Sequence, residues 1–292
     1  MRLLTYFEGG QQKLGALAGE SVVDLFAALT ANGEAAPSSM KRLIEEGPIA
    51  WDRAAEVLAR APLEPFLRPL QGLKLGAPVP NPSKIIAIGM NYADHAREQG
   101  KKPPEKPIIF AKYPTTVIGP GDEIRWDPAL SNKVDWEVEL AVIIGRTARR
   151  VAAADAYEYV FGYTVANDVT ARDLQDSDGQ WVRSKSLDTF CPLGPWIVTR
   201  DEIPEPHSLQ VRCLVNGEVV QDSKTDQLIF RIPQLVEHLS LAFTLLPGDL
   251  ILTGTPPGVG HHRKPPQYLG DGDVVTVEIE GIGSLSNPCR TE

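Results

Sequence analysis

The sequence Val-Asp-Trp-Glu-Val-Glu-Leu-Ala-Val-Ile-Ile-Gly at residues 134–145 is the most informative stretch of the chain. Its second half is rich in Val, Ile and Leu and ends at Gly145, which is typical of a buried β-strand. Its first half carries Asp135, Glu137 and Glu139 at alternate positions. A strand with acidic side chains leading into its apolar end needs a physical reason for that charge.

The spacing of Glu137 and Glu139 places both carboxylates on one face of the strand, roughly 6.5–7 Å apart along the chain. Their repulsion beside an apolar run is unfavourable unless a cation neutralises it. Oxygen ligands favour Mg²⁺, Mn²⁺ or Ca²⁺ over zinc. An acidic pair on a strand is also typical of a solvated face that binds no ion. For Asp135 we expect that plainer role, with a surface ion pair to Lys133.

Asp168 is the best candidate for a third carboxylate. It follows the apolar segment Phe-Gly-Tyr-Thr-Val-Ala-Asn at residues 161–167, where a predicted strand gives way to a loop and functional groups often project. Three monodentate carboxylates would leave about three positions of an octahedral ion for substrate oxygens and water. The pattern therefore predicts a catalytic metal site, not a structural one.

Composition limits the kind of protein this is. The 292 residues carry a net charge of −9 with 42% hydrophobic residues, which argues against nucleic acid or an anionic membrane as the main partner. The N-terminus lacks the apolar core of a signal peptide. The three cysteines have no metal-binding spacing, so a disulfide framework or a zinc site is not expected. We therefore predict a reduced, cytoplasmic enzyme.

Two regions differ in their patterns. Residues 1–72 predict a small N-terminal α/β domain, with strands at 2–6 and 13–18 followed by helices near 22–29, 38–45 and 49–60. Residues 73–292 predict a larger, β-dominated domain of the α+β class in which Asn216-Gly217 forms a hairpin turn. The predicted strands of this region lie near 84–89, 107–111, 138–144, 162–167, 195–199, 209–215, 218–222, 249–253 and 273–279, and the predicted helices near 94–99, 152–159 and 232–246.

Six ordered motifs resemble those of the fumarylacetoacetate hydrolase family, in particular its acylpyruvase and 2-hydroxyhepta-2,4-diene-1,7-dioate isomerase branch. The resemblance covers roughly residues 75–292 and is specific because the motifs occur in the same order. They are GMNYADHARE (89–98), PIIFAKYPTTVIGPGDEI (107–124), DWEVELAVIIG (135–145), YTVANDVTARDLQ (163–175), KSLDTFCPLGP (185–195) and LTGTPPGVG (252–260).

The resemblance implies a mixed β-sandwich roll, a bound Mg²⁺, with Mn²⁺ or Ca²⁺ as alternatives, and a homodimer. It implies that Glu137, Glu139 and Asp168 are the metal ligands. It also implies substrates that are 2-oxo or β-diketo acids. The remaining expected site residues are the catalytic His95, Glu98 and Lys185, and the substrate-binding Tyr92, Arg172, Gln175 and Thr255.

His95 and Glu98 are three residues apart, so on a helix they share a face and the carboxylate can orient the imidazole. Such a base can activate water for C–C cleavage of a 2,4-diketo acid, while the metal and Lys185 stabilise the departing pyruvate enolate. The Pro-rich, charged segment at residues 100–107 suits a lid over this site. The expected activity is therefore metal-dependent C–C hydrolysis of an acylpyruvate-like acid, as in aromatic catabolism.

Several alternatives use the same residues. They are oxaloacetate decarboxylation, keto–enol tautomerisation with His95 shuttling the proton, and isomerisation of a hydroxymuconate-type diacid. A catalytically silent metal- or ligand-binding protein is a further alternative, which the intact set of site residues argues against.

The other histidines are weaker candidates for functional residues. His261 and His262 lack the helical spacing of zinc proteases and are expected in a solvated loop.

Overall fold

A computed structural model describes residues 1–60 and 62–292. Its strands are β1 (Arg2–Glu8), β2 (Gln11–Ala18), β3 (Ser21–Asp24), β4 (Leu67–Pro69), β5 (Lys74–Gly76), β6 (Ile85–Gly89), β7 (Ile108–Lys112), β8 (Val117–Ile118), β9 (Ile124–Trp126), β10 (Val134–Asp135), β11 (Val138–Ile144), β12 (Val160–Asn167), β13 (Thr170–Ala171), β14 (Cys191–Thr199), β15 (Gln210–Val215), β16 (Glu218–Lys224), β17 (Leu250–Leu252), β18 (Val274–Ile279) and β19 (Gly283–Thr291). Its α-helices are α1 (Leu25–Ala31), α2 (Met40–Glu46), α3 (Pro48–Arg60), α4 (Ala93–Glu98), α5 (Arg172–Asp178), α6 (Val182–Lys185) and α7 (Ile232–Ala242).

The largest sheet runs through both halves of the chain. Its order is β4-β3-β2-β1-β14-β12-β11-β17-β6-β7, and mixed parallel and antiparallel pairs hold it together. Strand β1 joins the N-terminal strands to the rest because Arg2 pairs with Val198 of β14. The first 72 residues thus extend the main sheet, and their division into a separate domain remains a prediction.

A second sheet, ordered β16-β15-β18-β19-β9, packs on the central strands and completes a β-rich α+β fold, as the sequence predicted. Strand β11 is buried along its whole length. Leu140 and Val142 point into a core shared with Val277 of the second sheet, whereas Ala141 and Ile143 point into the core shared with the N-terminal helices. Because side chains alternate, Glu139 lies on the face of Ala141 and Ile143.

The sequence located most elements of the β-rich region to within a few residues. The hairpin at Asn216-Gly217 is confirmed, and both residues have positive φ, 52° and 83°. The helix predicted near 22–29 is confirmed from Leu25 onward, but β3 occupies its start. Asp24 ends that strand and caps α1 by accepting a hydrogen bond from the Ala27 amide at 3.0 Å. The predicted helix at 152–159 is a 3₁₀ helix, Ala153–Tyr159.

No α-helix of the described residues is both long enough and apolar enough to cross a membrane.

The three cysteines Cys191, Cys213 and Cys289 are unpaired and buried. Burial raises the pKa of Cys191 and of Cys289 to about 12, and raises that of Cys213 well above its usual range. Since the thiolate is the reactive form, the folded protein should react negligibly with an aromatic disulfide reagent at neutral pH. After denaturation in guanidinium all three thiols should react, and rapid reaction of the folded protein would contradict this packing.

Candidate active site

Two adjacent strand breaks create the acidic cluster. Between β10 and β11 the chain leaves the sheet at Trp136 and Glu137, opposite the break between β12 and β13 at Asp168. The Asp168 amide donates to the Glu137 carbonyl at 2.8 Å, and the Glu137 amide donates to the Asn167 side-chain oxygen at 3.0 Å. These bonds fix the two irregular segments side by side, so their carboxylates meet.

Glu137, Glu139 and Asp168 are buried, and each offers a carboxylate oxygen within 4.8 Å of the others. Burial, with the nearby charges of Asp168 and Glu137, raises the pKa of Glu139 well above its usual range. Burial also acts to raise the pKa of Glu137, but Lys185 and Arg172 outweigh it and hold that pKa at about 2. The structure thus brings together the three residues predicted as metal ligands.

Two cations lie against this cluster. Lys185 Nζ lies 2.7 Å from both Glu137 Oε2 and Asp168 Oδ2. Arg172 contacts Glu137 Oε1 through one terminal nitrogen at 2.6 Å, and another donates to Gln175 Oε1 at 3.0 Å. Lys185 and Arg172 therefore reach the predicted site and neutralise part of its charge.

A third cation, Lys112, was not identified from the sequence. It ends β7, its side chain has no solvent exposure, and its Nζ lies 2.8 Å from Asp168 Oδ1. The ammonium also donates to the carbonyls of Lys185 and Val169. One feature of the sequence could have identified it: Lys112 ends the apolar segment Ile-Ile-Phe-Ala-Lys. A lysine that is buried in a strand needs an acidic partner.

The expectation for Asp135 is wrong. Its side chain is fully buried and pairs with Arg172 Nε at 2.8 Å instead of with Lys133. It also accepts hydrogen bonds from the backbone amides of Gly260 at 2.7 Å and His261 at 3.0 Å. Strand alternation does not show whether Asp135 is buried. Its burial depends on the loop at residues 260–261, which is distant in sequence.

Replacing Asp135 should therefore destabilise the fold. Asp135→Asn keeps an acceptor for the loop amides but removes the charge beside buried Arg172, so we expect a loss of about 3 kcal/mol in the free energy of unfolding. Urea denaturation with Mg²⁺ absent would measure it. The control Asp155→Asn changes an exposed carboxylate and should stay within about 0.5 kcal/mol of the parent protein. Equal stability of the two variants would contradict the structural role of Asp135.

His95 and Glu98 meet as the sequence predicted. On α4, His95 Nδ1 lies 2.8 Å from Glu98 Oε2, and since a carboxylate only accepts, Nδ1 carries the proton. Nε2 is then the basic nitrogen, and it accepts from the Gln99 side-chain amide at 2.7 Å. Glu98 Oε1 also accepts from the Gly258 amide at 3.0 Å, which ties the helix to the loop after β17.

That loop supplies further contacts to the site. The Gly254 amide donates to Glu139 Oε2 at 2.7 Å, and Gly254 has a φ of 104° that favours glycine. Thr255 Oγ1 accepts from the Gln221 side-chain amide at 2.9 Å. His262 is exposed, as expected for a solvated loop, whereas His261 is half-buried and its Nδ1 lies 3.1 Å from the Tyr268 hydroxyl. The ring centroid of His262 lies only 5.8 Å from that of His95.

These groups line a cavity of about 560 Å³. Of the ten predicted site residues, seven line it, Glu98 and Asp168 lie directly behind lining residues, and Tyr92 is fully buried outside the lining. Direct contact between Tyr92 and a substrate in the cavity is not supported by this placement. The side chains that contribute to the lining are Ile88, Met90, His95, Gln99, Lys101, Lys102, Pro104, Ile108, Phe110, Glu137, Glu139, Arg172, Gln175, Asp176, Trp181, Lys185, Thr255, His261 and His262.

The acidic cluster fits a divalent metal ion. Its three oxygen donors come from separate side chains, two of which, Glu137 and Glu139, line the cavity. The unfavourable ionisation of Glu139 is what a bound cation would relieve. Oxygen-only donors match Mg²⁺ or Mn²⁺ in preference to zinc. Glu137, Glu139 and Asp168 would hold the ion, beside the ammonium group of Lys185.

Comparison with known proteins agrees with this arrangement. Residues 84–290 match the family model of the fumarylacetoacetate (FAA) hydrolase C-terminal domain. Oxaloacetate tautomerase Fahd2a, a mitochondrial protein of Rattus norvegicus, is 48% identical over 255 residues, which cover 87% of this chain and 80% of the relative.

Solved structures show the same fold over the whole chain. A fumarylacetoacetate hydrolase of psychrophilic Exiguobacterium antarcticum has a TM-score of 0.87 at 37% identity, with all of both chains covered. Maleylpyruvate hydrolase of Sphingobium sp. SYK-6, in complex with manganese(II) and pyruvate, has a TM-score of 0.78 at 34% identity, covering 100% of this chain and 99% of that one. That relative was solved with a divalent ion bound, and this chain carries an acidic cluster that could hold one.

Proposed function

The chain belongs to the fumarylacetoacetate hydrolase family, and from this premise we propose that it catalyses the metal-dependent keto–enol tautomerisation of oxaloacetate. The named activity of the tautomerase relative supports this alternative better than the C–C hydrolysis expected from the sequence. The observation that carries the proposal is the position of His95, which lines the same cavity as Glu137 and Glu139 and whose Nε2 is its basic nitrogen.

Tautomerisation requires only that one proton move between carbon and oxygen. Starting from the keto form, His95 Nε2 takes a proton from the carbon between the keto group and the distal carboxylate, in place of its contact with Gln99. The electrons of the broken C–H bond form the C=C bond while the C=O π electrons move to the keto oxygen. His95 Nε2 then delivers its proton to that oxygen, which completes the enol. Glu98 keeps the Nδ1 proton in place and stabilises the positively charged imidazole during the transfer.

The remaining residues bind and orient the substrate. Lys185 and Arg172 present cationic groups to the carboxylate next to the keto group, and Thr255 offers its hydroxyl. A divalent cation held by the acidic cluster would supply Lewis-acid polarisation of the keto oxygen. The negative charge that develops on that oxygen also lies near Lys185, which contributes to its stabilisation.

The decisive experiment follows two signals in parallel. Enol oxaloacetate is mixed with the protein in Mg²⁺ or in EDTA; its ultraviolet absorbance reports ketonisation, and coupled lactate dehydrogenase reports pyruvate. We expect Mg²⁺-dependent loss of the enol signal without pyruvate beyond the spontaneous rate. Stoichiometric pyruvate release would show a decarboxylase instead, and an unchanged rate of enol loss would refute the proposal.

Hydrolysis of a maleylpyruvate-like acid is the second candidate. It is favoured by the 2.8 Å contact between His95 and Glu98, which suits a base that activates water, and by the maleylpyruvate hydrolase relative. Incubation of maleylpyruvate with the Mg²⁺-loaded protein, with both products quantified, would test it. Pyruvate in equimolar amount with the second acid would support hydrolysis, and a change of absorbance without pyruvate would support isomerisation.

We further propose that the protein is a homodimer in the cytoplasm. The edge strand β7 supports the dimer, because Ile109 and nearby Tyr113 are 39% and 58% exposed, apolar surface that a second copy would cover. Light scattering during size-exclusion chromatography would test it, and a mass of 31.8 kDa would contradict it.

A further inference from the structure

A pair of lysines at the rim of the cavity has no role in the chemistry described above. Lys101 and Lys102 line the cavity and are exposed. Within the described residues neither of them forms an ion pair, although most other cations near the site do. Two unpaired positive charges at a cavity of a protein with net charge −9 indicate an anionic group on the ligand.

The position of these lysines is fixed by the turn that ends α4. The Gly100 amide donates to the Arg97 carbonyl at 3.0 Å, and the Lys101 amide donates to the Ala96 carbonyl at 2.9 Å. This is the pattern of a Schellman turn, and Gly100 has the positive φ, 62°, that the turn requires. The backbone of Lys101 therefore has a defined position directly after α4, the helix that carries His95.

The charge of the inner site explains why a second cationic group is needed. Counted as fully ionised, the four buried carboxylates and three buried cations leave one excess negative charge. They are Asp135, Glu137, Glu139 and Asp168, and Lys112, Arg172 and Lys185. A divalent ion changes this to one excess positive charge, which balances one carboxylate of a substrate. A second carboxylate would have to be balanced elsewhere, and Asp176 at the rim has the wrong sign. Lys101 and Lys102 are the unpaired charges available.

We propose that Lys101 and Lys102 form a subsite for the distal carboxylate of a dicarboxylic acid, so that the protein selects diacids over monoacids with the same metal-binding end. This inference rests on the proposed function in taking the 2-oxo end of the substrate to lie at the acidic cluster. The lysines act as specificity-determining residues because the reacting carbon lies near His95, not near them.

Malate and lactate form a matched pair of probes. Both present a 2-hydroxycarboxylate to a metal, but only malate carries a second carboxylate. Titration calorimetry on the full-length protein in saturating Mg²⁺ should show tighter binding of malate than of lactate. In the double variant Lys101→Met, Lys102→Met the Kd of malate should rise about five- to tenfold, since exposed ion pairs contribute modestly. The Kd of lactate should remain unchanged.

Two controls separate this subsite from general electrostatics. Lys106→Met removes an exposed lysine of the same segment that does not line the cavity, and it should leave both affinities unchanged. Raising the salt concentration should weaken malate binding to the parent protein and have little effect on the double variant. If Lys106→Met and the double variant weaken malate binding equally, or if lactate binding falls in parallel, the subsite is refuted.

The same variants distinguish failure of the subsite from failure of the proposed function. If the parent protein prefers malate and the double variant loses that preference, the subsite holds even if oxaloacetate is not tautomerised. If oxaloacetate is tautomerised but its KM is the same in the parent protein and the double variant, the proposed function holds and the subsite is refuted.

Discussion

Glu139→Gln should abolish the metal-dependent activity and leave the fold intact. The substitution preserves the shape of the side chain and an oxygen that can accept from the Gly254 amide, but it removes one of three charged donors. We expect metal-dependent tautomerisation to fall by at least about a hundredfold, because the developing negative charge loses its preorganised stabilisation. Calorimetric titration with Mn²⁺ should show a parallel loss of affinity.

The effect of Glu139→Gln on stability can be compared with that of Glu137→Gln, which alters another predicted ligand of the same cluster. The pKa of Glu139 is raised by burial and by two like charges, so ionised Glu139 destabilises the metal-free fold at neutral pH. Glu139→Gln in EDTA should therefore unfold at the same urea concentration as the parent protein or a higher one. Glu137 has a lowered pKa and pairs with Lys185 and Arg172, so Glu137→Gln should unfold at a lower urea concentration. Retained metal-dependent activity in Glu139→Gln would contradict its role as a ligand.

The acidic cluster could be predicted because its signal is local. Glu137 and Glu139 are two residues apart beside an apolar strand, and Asp168 follows a second apolar strand that pairs with the first. Alternation in a strand and the tendency of functional groups to lie at strand ends were sufficient to bring them together. The order of the six motifs then gave the family.

The partners of the cluster depend on contacts between distant segments, which single-sequence patterns do not encode. Lys112 is 56 positions from Asp168, and the loop that binds Asp135 is more than a hundred positions away. The sequence also missed β19, because a strand containing Pro288 does not follow a simple alternation. The acidic ligands, which follow a plain local pattern, were therefore placed correctly, whereas the pairing of Lys112 with Asp168 and of Arg172 with Asp135 was not predicted.

His95→Ala should reduce the catalytic rate about 10²- to 10⁴-fold without changing metal affinity. His95 is buried at the cavity wall and does not contact the three carboxylates closely enough to be a ligand among the described residues. A rate loss with an unchanged Mn²⁺ titration would therefore separate proton transfer from metal binding. The control His238→Ala alters a histidine on α7, outside the cavity, and should retain full activity.

Glu98, the hydrogen-bond partner of His95, leads to a prediction about how the catalytic rate depends on pH. Burial acts to raise the pKa of Glu98, but the hydrogen bonds from His95 and from the Gly258 amide outweigh it, and the net pKa is lowered. The carboxylate is therefore ionised at neutral pH, and its stabilising effect is lost only as the pH falls through the lowered value. Glu98→Gln should accordingly reduce the rate by a similar factor at pH 6 and at pH 8, on the order of tenfold.

The choice between proton shuttle and water activation follows from comparing the two reactions in His95→Ala. Water attack on carbon needs a base that both positions the water and removes its proton, whereas enolisation needs only proton removal from an acidified carbon. His95→Ala should therefore reduce any maleylpyruvate hydrolysis more than oxaloacetate tautomerisation, measured in the same Mg²⁺ buffer. Equal losses would show that His95 does not serve as the base for water, and unchanged tautomerisation would exclude it as the proton shuttle.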